Sequence, residues 1–183
     1  MASKQRMSNT AFKVMALIHD NPLRCIFENP IKTLKAAGIK PGQQVLEVGC
    51  GPGFFTIPVA KLVGDNGYVY AIDLHPLAIK TVEEKLQKTS LNNVKITIAD
   101  AEKMGLITES IDLVFLFGVI HALPLDQVLP ELYRVLRPGG VLAVQTFPGH
   151  SLERVTKGGL FTFVGKEGRV SKFQKEVSNE SGL

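Results

Sequence analysis

Between residues 41 and 147 the chain alternates two kinds of apolar pattern. Short runs that are apolar almost throughout predict strands: QVLEVG (44–49), YVYAID (68–73), VKITIA (94–99), IDLVFLF (111–117) and VLAVQTF (141–147). The longer stretches between them, FTIPVAKLV (55–63), PLAIKTVEEKLQKT (76–89) and DQVLPELYRVL (126–136), read as helices. In the second of these, Leu77, Ile79, Val82 and Leu86 recur at helical spacing. Strands with no polar face, separated by helices, predict a parallel sheet covered on both sides, hence an α/β fold.

The punctuation agrees. GDNG (64–67) divides a helix from a strand, and RPGG (137–140) stops a helix before the next strand. Asp126 is placed to cap its helix, with Pro130 close to the first turn. Upstream, NPIKTLKAAG (29–38) predicts a short helix with Asn29 as N-cap, Pro30 at the first position and Gly38 just past the end. An earlier segment, Thr10 to His19, carries Phe12, Met15, Ala16 and Leu17; it reads equally as a packing helix or as a lid over a ligand. Residues 160–177 alternate imperfectly around GKEG (165–168) and predict a hairpin, and residues 178–183 read as a frayed tail.

Composition adds bounds. At 183 residues the chain is expected to be one domain with a core that needs neither disulfides nor metal. No apolar run approaches the roughly 20 residues of a membrane span, and the start of the chain makes a poor signal peptide. Cys25 and Cys50 are too few for a disulfide framework or a cysteine zinc site, so no metal and a cytoplasmic location are expected. The net charge of +4 would suit a nucleic-acid partner, but the lysines are scattered among acids, which makes such a partner an unfavoured alternative.

Chemistry concentrates in VLEVGCGPGFFT (45–56). Glycines at 49, 51 and 53 between a strand and a helix suggest a nucleotide-type ligand at the carboxyl edge of the sheet. A dinucleotide fingerprint would read G-x-G-x-x-G; here the third glycine comes one place early, and Glu47 lies two residues before the first. A carboxylate there would repel a pyrophosphate and favour a cationic ligand.

This stretch resembles motif I of the class I S-adenosylmethionine-dependent methyltransferases, an acid followed by x and G-x-G-x-G, and the rest of the core is similar in order and spacing. Asp73 ends the second strand, IADAEKMGL (98–106) resembles the segment after the third, and ELYRVLRPGGVLAV (131–144) resembles the helix, turn and fifth strand. The resemblance implies a Rossmann-like, mostly parallel seven-stranded sheet with an antiparallel C-terminal strand and helices on both faces. It implies S-adenosylmethionine as cofactor, with Gly49, Gly51 and Gly53 against its methionine and ribose and Glu47 near its amino end. It further implies Asp73 on the ribose hydroxyls, Leu74 or His75 against the adenine, Asp100 and the Ala101 amide at the adenine edge, and Phe117 among the cofactor contacts. Asp100 reads alternatively as a helix cap, and Cys50 as a small buried filler.

The likeness is greatest to the branch of ubiquinone and menaquinone C-methyltransferases, which implies a small-molecule acceptor. His121, in GVIHAL just past the fourth strand, is the candidate base, with a structural histidine as the competing reading. His150 is a second-rank substrate contact, and His19 and His75 have weaker claims. FGVIHAL lacks the Asn/Asp-Pro-Pro-aromatic signature of adenine and glutamine-amide methylating enzymes. Residues 1–40 are then a lid and substrate segment before a core at 41–177. The acceptor pocket falls to residues 1–30, 118–125 and 147–160, or to a second copy in a homodimer. A nucleic-acid methyltransferase, using Lys157, Lys166, Arg169, Lys172 and Lys175, and a catalytically silent partner subunit remain as alternatives.

Overall fold

The computed structural model describes residues 7–19, 28–146 and 151–177. The expectations for residues 178–183 and for His150 fall outside them. Helix α1 (Asn9–His19) and helix α2 (Pro30–Ala37) precede a sheet of seven strands. Asn29 caps α2 by accepting the Lys32 amide, Pro30 opens it, and Gly38 closes it in the left-handed conformation at φ 94°. The chain then runs β1 (Gln44–Val48), α3 (Thr56–Val63), β2 (Tyr68–Asp73), α4 (Pro76–Leu86), β3 (Val94–Ile98) and β4 (Ile111–Phe117). A single 3-10 turn (Ile120–Ala122), α5 (Leu125–Val135), β5 (Leu136–Gln145) and a one-turn helix α6 (Glu153–Thr156) lead to the hairpin β6 (Phe161–Glu167) and β7 (Val170–Lys175).

The spatial order is β3-β2-β1-β4-β5-β7-β6. Strands β1 to β5 pair in parallel, β7 is antiparallel to β5, and β6 is antiparallel to β7. The order reverses direction between β1 and β4, which opens a crevice at the carboxyl edge of the sheet. Both faces of the central strands are covered. Leu46, Val114, Leu116 and Leu142 join a core with α5 on one side, while Val45, Leu113 and Phe115 join α2 and α3 on the other. This two-sided burial explains why the strands read as unbroken apolar runs.

Three local expectations are corrected. Residues RPGG do not separate helix from strand: Leu136 already pairs with Ile111, and the next pair is Val141 with Leu113, so residues 137–140 form a bulge opposite Asp112. Asp112 fills that space, pairing with Arg137 and accepting the Gln44 amide at 2.7 Å. Helix α5 starts one residue early, at Leu125 after Pro124, so Asp126 sits in its first turn instead of capping it, and Pro130 lies inside the helix. The hairpin turns at Gly168 and Arg169, and Gly165 sits at an irregularity within β6.

The hairpin is tied down by Lys175, whose buried ammonium donates to the Leu136 carbonyl at 2.7 Å and to Glu109 at 3.0 Å, over the Tyr133 ring. Phe173 on β7 is fully buried in the larger core cluster. Its truncation to alanine is expected to lower the unfolding free energy by about 3–5 kcal/mol, measured by urea denaturation. A loss below about 1 kcal/mol, the scale of surface substitutions, would mean that the hairpin contributes little to the core.

Candidate functional site

The glycine loop takes its shape from positive φ at all three positions: 75° at Gly49, 51° at Gly51 and 84° at Gly53. Side chains are strained in that region, which already requires glycine. Packing adds a second reason at two of them. A Cβ on Gly49 would lie 2.8 Å from Val119 Cγ2, and one on Gly53 would lie 2.8 Å from Val82 Cγ2. Gly51 differs, since the nearest atom to a Cβ there is Met15 Cε at 3.9 Å. In the direction of a side chain, then, Gly49 and Gly53 are packed against protein, while at Gly51 the nearest neighbour leaves ordinary van der Waals room.

Asp73 organises this loop. Its Oδ2 accepts the Gly51 amide at 2.9 Å and its Oδ1 accepts the His75 amide at 2.8 Å. The loop is fixed again where Gly49 and Cys50 donate to the Ile72 carbonyl and Lys85 Nζ donates to the Pro52 carbonyl at 2.6 Å. His75 caps α4 by accepting the Leu77 amide through Nδ1, so the neutral ring carries its proton on Nε2. That ring is buried, and Phe12 of α1 stacks on it at 4.4 Å and 14°. Of the two residues expected against an adenine, His75 has this face occupied by Phe12, whereas Leu74 remains 38% exposed.

Glu47, on β1, is buried and accepts a 2.6 Å hydrogen bond from Thr56 Oγ1 at the start of α3. Burial pushes its carboxyl from an ordinary value near 4.5 up to about 8; the Thr56 bond opposes that shift and the charge of Asp73 adds to it. The acid is therefore mostly protonated near neutrality and poised to ionise beside a cation. Cys50 is buried with its thiol pushed upward, chiefly by the same desolvation, in keeping with a filler role.

Asp100, just past β3, accepts the Glu102 amide at 3.0 Å through Oδ1, the turn-capping geometry, and Ala101 is buried in the core beside it. The Ala99 amide donates to the Asp73 carbonyl at 3.2 Å, which holds this segment beside the β2 end. Phe117 packs edge-on against Phe55 at 5.0 Å and leans on Phe115, so it supports the base of the glycine loop. His121 is exposed on the 3-10 turn and lines a depression of about 120 Å³ with Ile120, Leu125, Ser151, Leu152 and Arg154. Glu47, the glycine loop, Asp73 and Asp100 thus share the carboxyl edge of β1 to β3, and His121 stands apart beyond β4. No group of three metal-ligating side chains occurs among the described residues.

The sequence reading missed four participants. Thr56, Val82, Val119 and the Phe12–His75 stack act through contacts between distant segments; only Thr56, a hydroxyl opening the helix after the loop, carried a local signal. The basic residues near the tail are also partly engaged, since Lys175 is paired with Glu109 and Arg169 lies 3.7 Å from Glu28.

Comparisons with known proteins agree with this geometry. The sequence profile of a family described as a methyltransferase domain matches residues 39–179. The chain is 36% identical over 124 residues to the ubiquinone/menaquinone biosynthesis C-methyltransferase of Teredinibacter turnerae, covering 66% of this chain and 50% of that protein. It is 35% identical over 117 residues to an arsenite methyltransferase of Halobacterium salinarum, covering 61% of this chain and 30% of that one. It spans about half the length of the C-methyltransferase relatives it matches. Among solved structures, a SAM-dependent methyltransferase from Aquifex aeolicus superposes with a TM-score of 0.73 at 27% identity, over 93% of this chain and 98% of the other.

The Glu47 carboxyl gives a signed prediction. Because its folded-state pKa lies above its unfolded value, the native state keeps a proton that the unfolded chain has lost, and this group's contribution to stability falls as pH rises from about 4.5 to about 8. Urea unfolding across that window is expected to show a downward slope with pH that Glu47→Gln flattens. An unchanged slope in the variant would assign it to other groups.

Proposed function

The chain belongs to the methyltransferase-domain family, and from that premise we propose that it transfers a methyl group from S-adenosylmethionine to a small-molecule acceptor. The observation that carries this reading is the pair of acidic side chains, Glu47 and Asp73, on neighbouring strands, with the Gly51 amide held against Asp73 at 2.9 Å. Two acids flanking the loop suit a cationic nucleoside and oppose a pyrophosphate. Gly51, where a Cβ would meet nothing nearer than Met15 Cε at 3.9 Å, lies between them in sequence.

S-adenosylmethionine, when bound, supplies a methyl group on a positively charged sulfur that leaves as a neutral thioether. The work left to the chain is to bind, orient and exclude water. Glu47 ionises opposite the ligand's ammonium, assisted by the Thr56 hydrogen bond. Asp73 accepts ribose hydroxyls on the lone pairs not taken by Gly51 and His75. Leu74 offers an apolar surface to the adenine, with Asp100 and the Ala101 amide at its edge. Gly49, Gly51 and Gly53 let the backbone approach the methionine and ribose, and Phe117 is a further cofactor contact that also packs on Phe55.

Residues 1–40 serve as a lid and substrate segment ahead of the core at 41–177. The placement of Phe12 on His75 and of Met15 over Gly51 favours the lid reading of α1 over simple packing. His121, on the acceptor side of β4, is the candidate to take a proton from the acceptor.

Calorimetric titration with S-adenosylmethionine and S-adenosylhomocysteine, with NAD as control, tests the reading. Saturable binding of the first two and none of NAD is expected, with a proton released at neutral pH as Glu47 ionises. NAD binding in their place would overturn it. Asp73→Ala is expected to remove most of that affinity and also to lower stability by about 1–3 kcal/mol, because two backbone amides lose their acceptor. Wild-type affinity in a folded variant would dismiss the ribose role. His121→Ala is expected to leave S-adenosylhomocysteine binding within about twofold while lowering acceptor-dependent turnover by on the order of 10²-fold or more. Equal turnover would make His121 structural.

A further inference from the structure

Helix α1 rests on the rest of the chain through one ring. Among its described residues Phe12 alone is buried, at 3% exposure, while Val14, Leu17 and Ile18 are each more than half exposed. Among the described residues no hydrogen bond or ion pair ties the helix to the core. A cleft of about 580 Å³, lined by Phe12, Ala16, Leu77 and Thr81, separates it from α4. An element with so little buried and no polar ties belongs to the low-stability end of a fold, where segments open locally while the core stays intact.

The place where α1 rests is the crevice itself. Phe12 stacks nearly flat on His75, 4.4 Å apart and 14° from parallel, and His75 follows Asp73 by two residues. One turn further along the helix Met15 reaches the glycine loop, its Cε 3.9 Å from where a Cβ on Gly51 would stand. A ligand atom between two protein surfaces needs about 3.5–4.0 Å to each of them. No layer of ligand therefore fits between Met15 and the Gly51 backbone while α1 stays in place. The stack also carries a cost: Nε2 of His75 is buried without a hydrogen-bond partner, although the neutral ring holds its proton there. An unpaired buried donor is unfavourable, and lifting Phe12 uncovers a face of the ring that bears it.

We propose that α1 is a plug: it shuts the crevice of the free protein, and Phe12 leaves His75 before S-adenosylmethionine can lie along Gly51 and Asp73. The proposal rests on the cofactor reading and adds to it the sign of the helix's effect. A lid that folds over bound ligand adds contacts and tightens binding. A plug that has to be displaced lowers the apparent affinity in proportion to the fraction of molecules in which it stands open, because the ligand selects the open state.

Calorimetric titration of the full chain with S-adenosylhomocysteine separates the two. Phe12→Ala is expected to bind about tenfold or more tighter than the parent, and Met15→Ala to change in the same direction. Unchanged or weaker binding by a Phe12→Ala protein that unfolds in urea like the parent would overturn the plug and leave the cofactor reading standing. Absence of binding in the parent and in Phe12→Ala alike would overturn both. The chain has no tryptophan, so Phe12→Trp puts a lone fluorescent reporter at the stack. Its emission is expected to move to the red, and its quenching by iodide to increase, as S-adenosylhomocysteine saturates the protein. A reporter as buried at saturation as before would show that the ligand enters without moving α1, and the proposal would fall.

Discussion

Asp73 joins three segments at the carboxyl edge of the sheet, two through its carboxylate and one through its backbone carbonyl. It accepts the amide of Gly51 in the loop after β1 and the amide of His75 at the start of α4, and its own carbonyl receives the Ala99 amide from the end of β3. Charge-assisted bonds to backbone amides are short and directional, so they fix the loop before any ligand arrives. A binding site assembled in this way spends little of its affinity on ordering itself. The same arrangement means that Asp73 has a structural duty along with any ligand duty, which its position at a strand end in the sequence does not reveal.

Glu47 faces the opposite problem. Asp73 is only partly buried and keeps backbone donors on both oxygens, while Glu47 is enclosed with one hydroxyl for company. Desolvation therefore holds it neutral where an exposed acid would be ionised. A residue that costs stability whenever it is charged is an expensive choice for a core, and such choices cluster where a function demands them. A cationic group beside Glu47 would remove the conflict by favouring its ionised form.

Much of this was legible in the sequence, for identifiable reasons. The strands were readable because both faces of the central sheet are covered, so apolar residues dominate β1, β2 and β4 apart from a few acids and Gln44. Asn29, Pro30 and Gly38 announced helix α2 through rules that act over a few residues. Glu47, the three glycines and Asp73 were readable because their spacing is set by one strand-loop-helix unit and the strand after it. What escaped depended on distance along the chain. The bulge at residues 137–140 lies opposite Asp112 of another strand, which pairs with Arg137, and α5 starts at Leu125, whose side chain is buried in the core. The stack of Phe12 on His75 joins residues 63 positions apart, and no local pattern encodes it.

The glycine loop also shows why the site must be considered together with the loop beyond β4. Gly49 leaves no room for a Cβ because Val119 fills that space, and Val119 is two residues from His121. Packed side chains move as units and do not deform continuously. A shift of the 3-10 turn that carries His121 would therefore move Val119 against the backbone that precedes Gly51. The glycine loop and the turn that carries His121 are in this way packed against each other at Gly49 and Val119. Replacement of Gly49 by alanine would press a Cβ on Val119 and strain a backbone held at φ 75°, and so disturb both the glycine loop and the turn that carries His121.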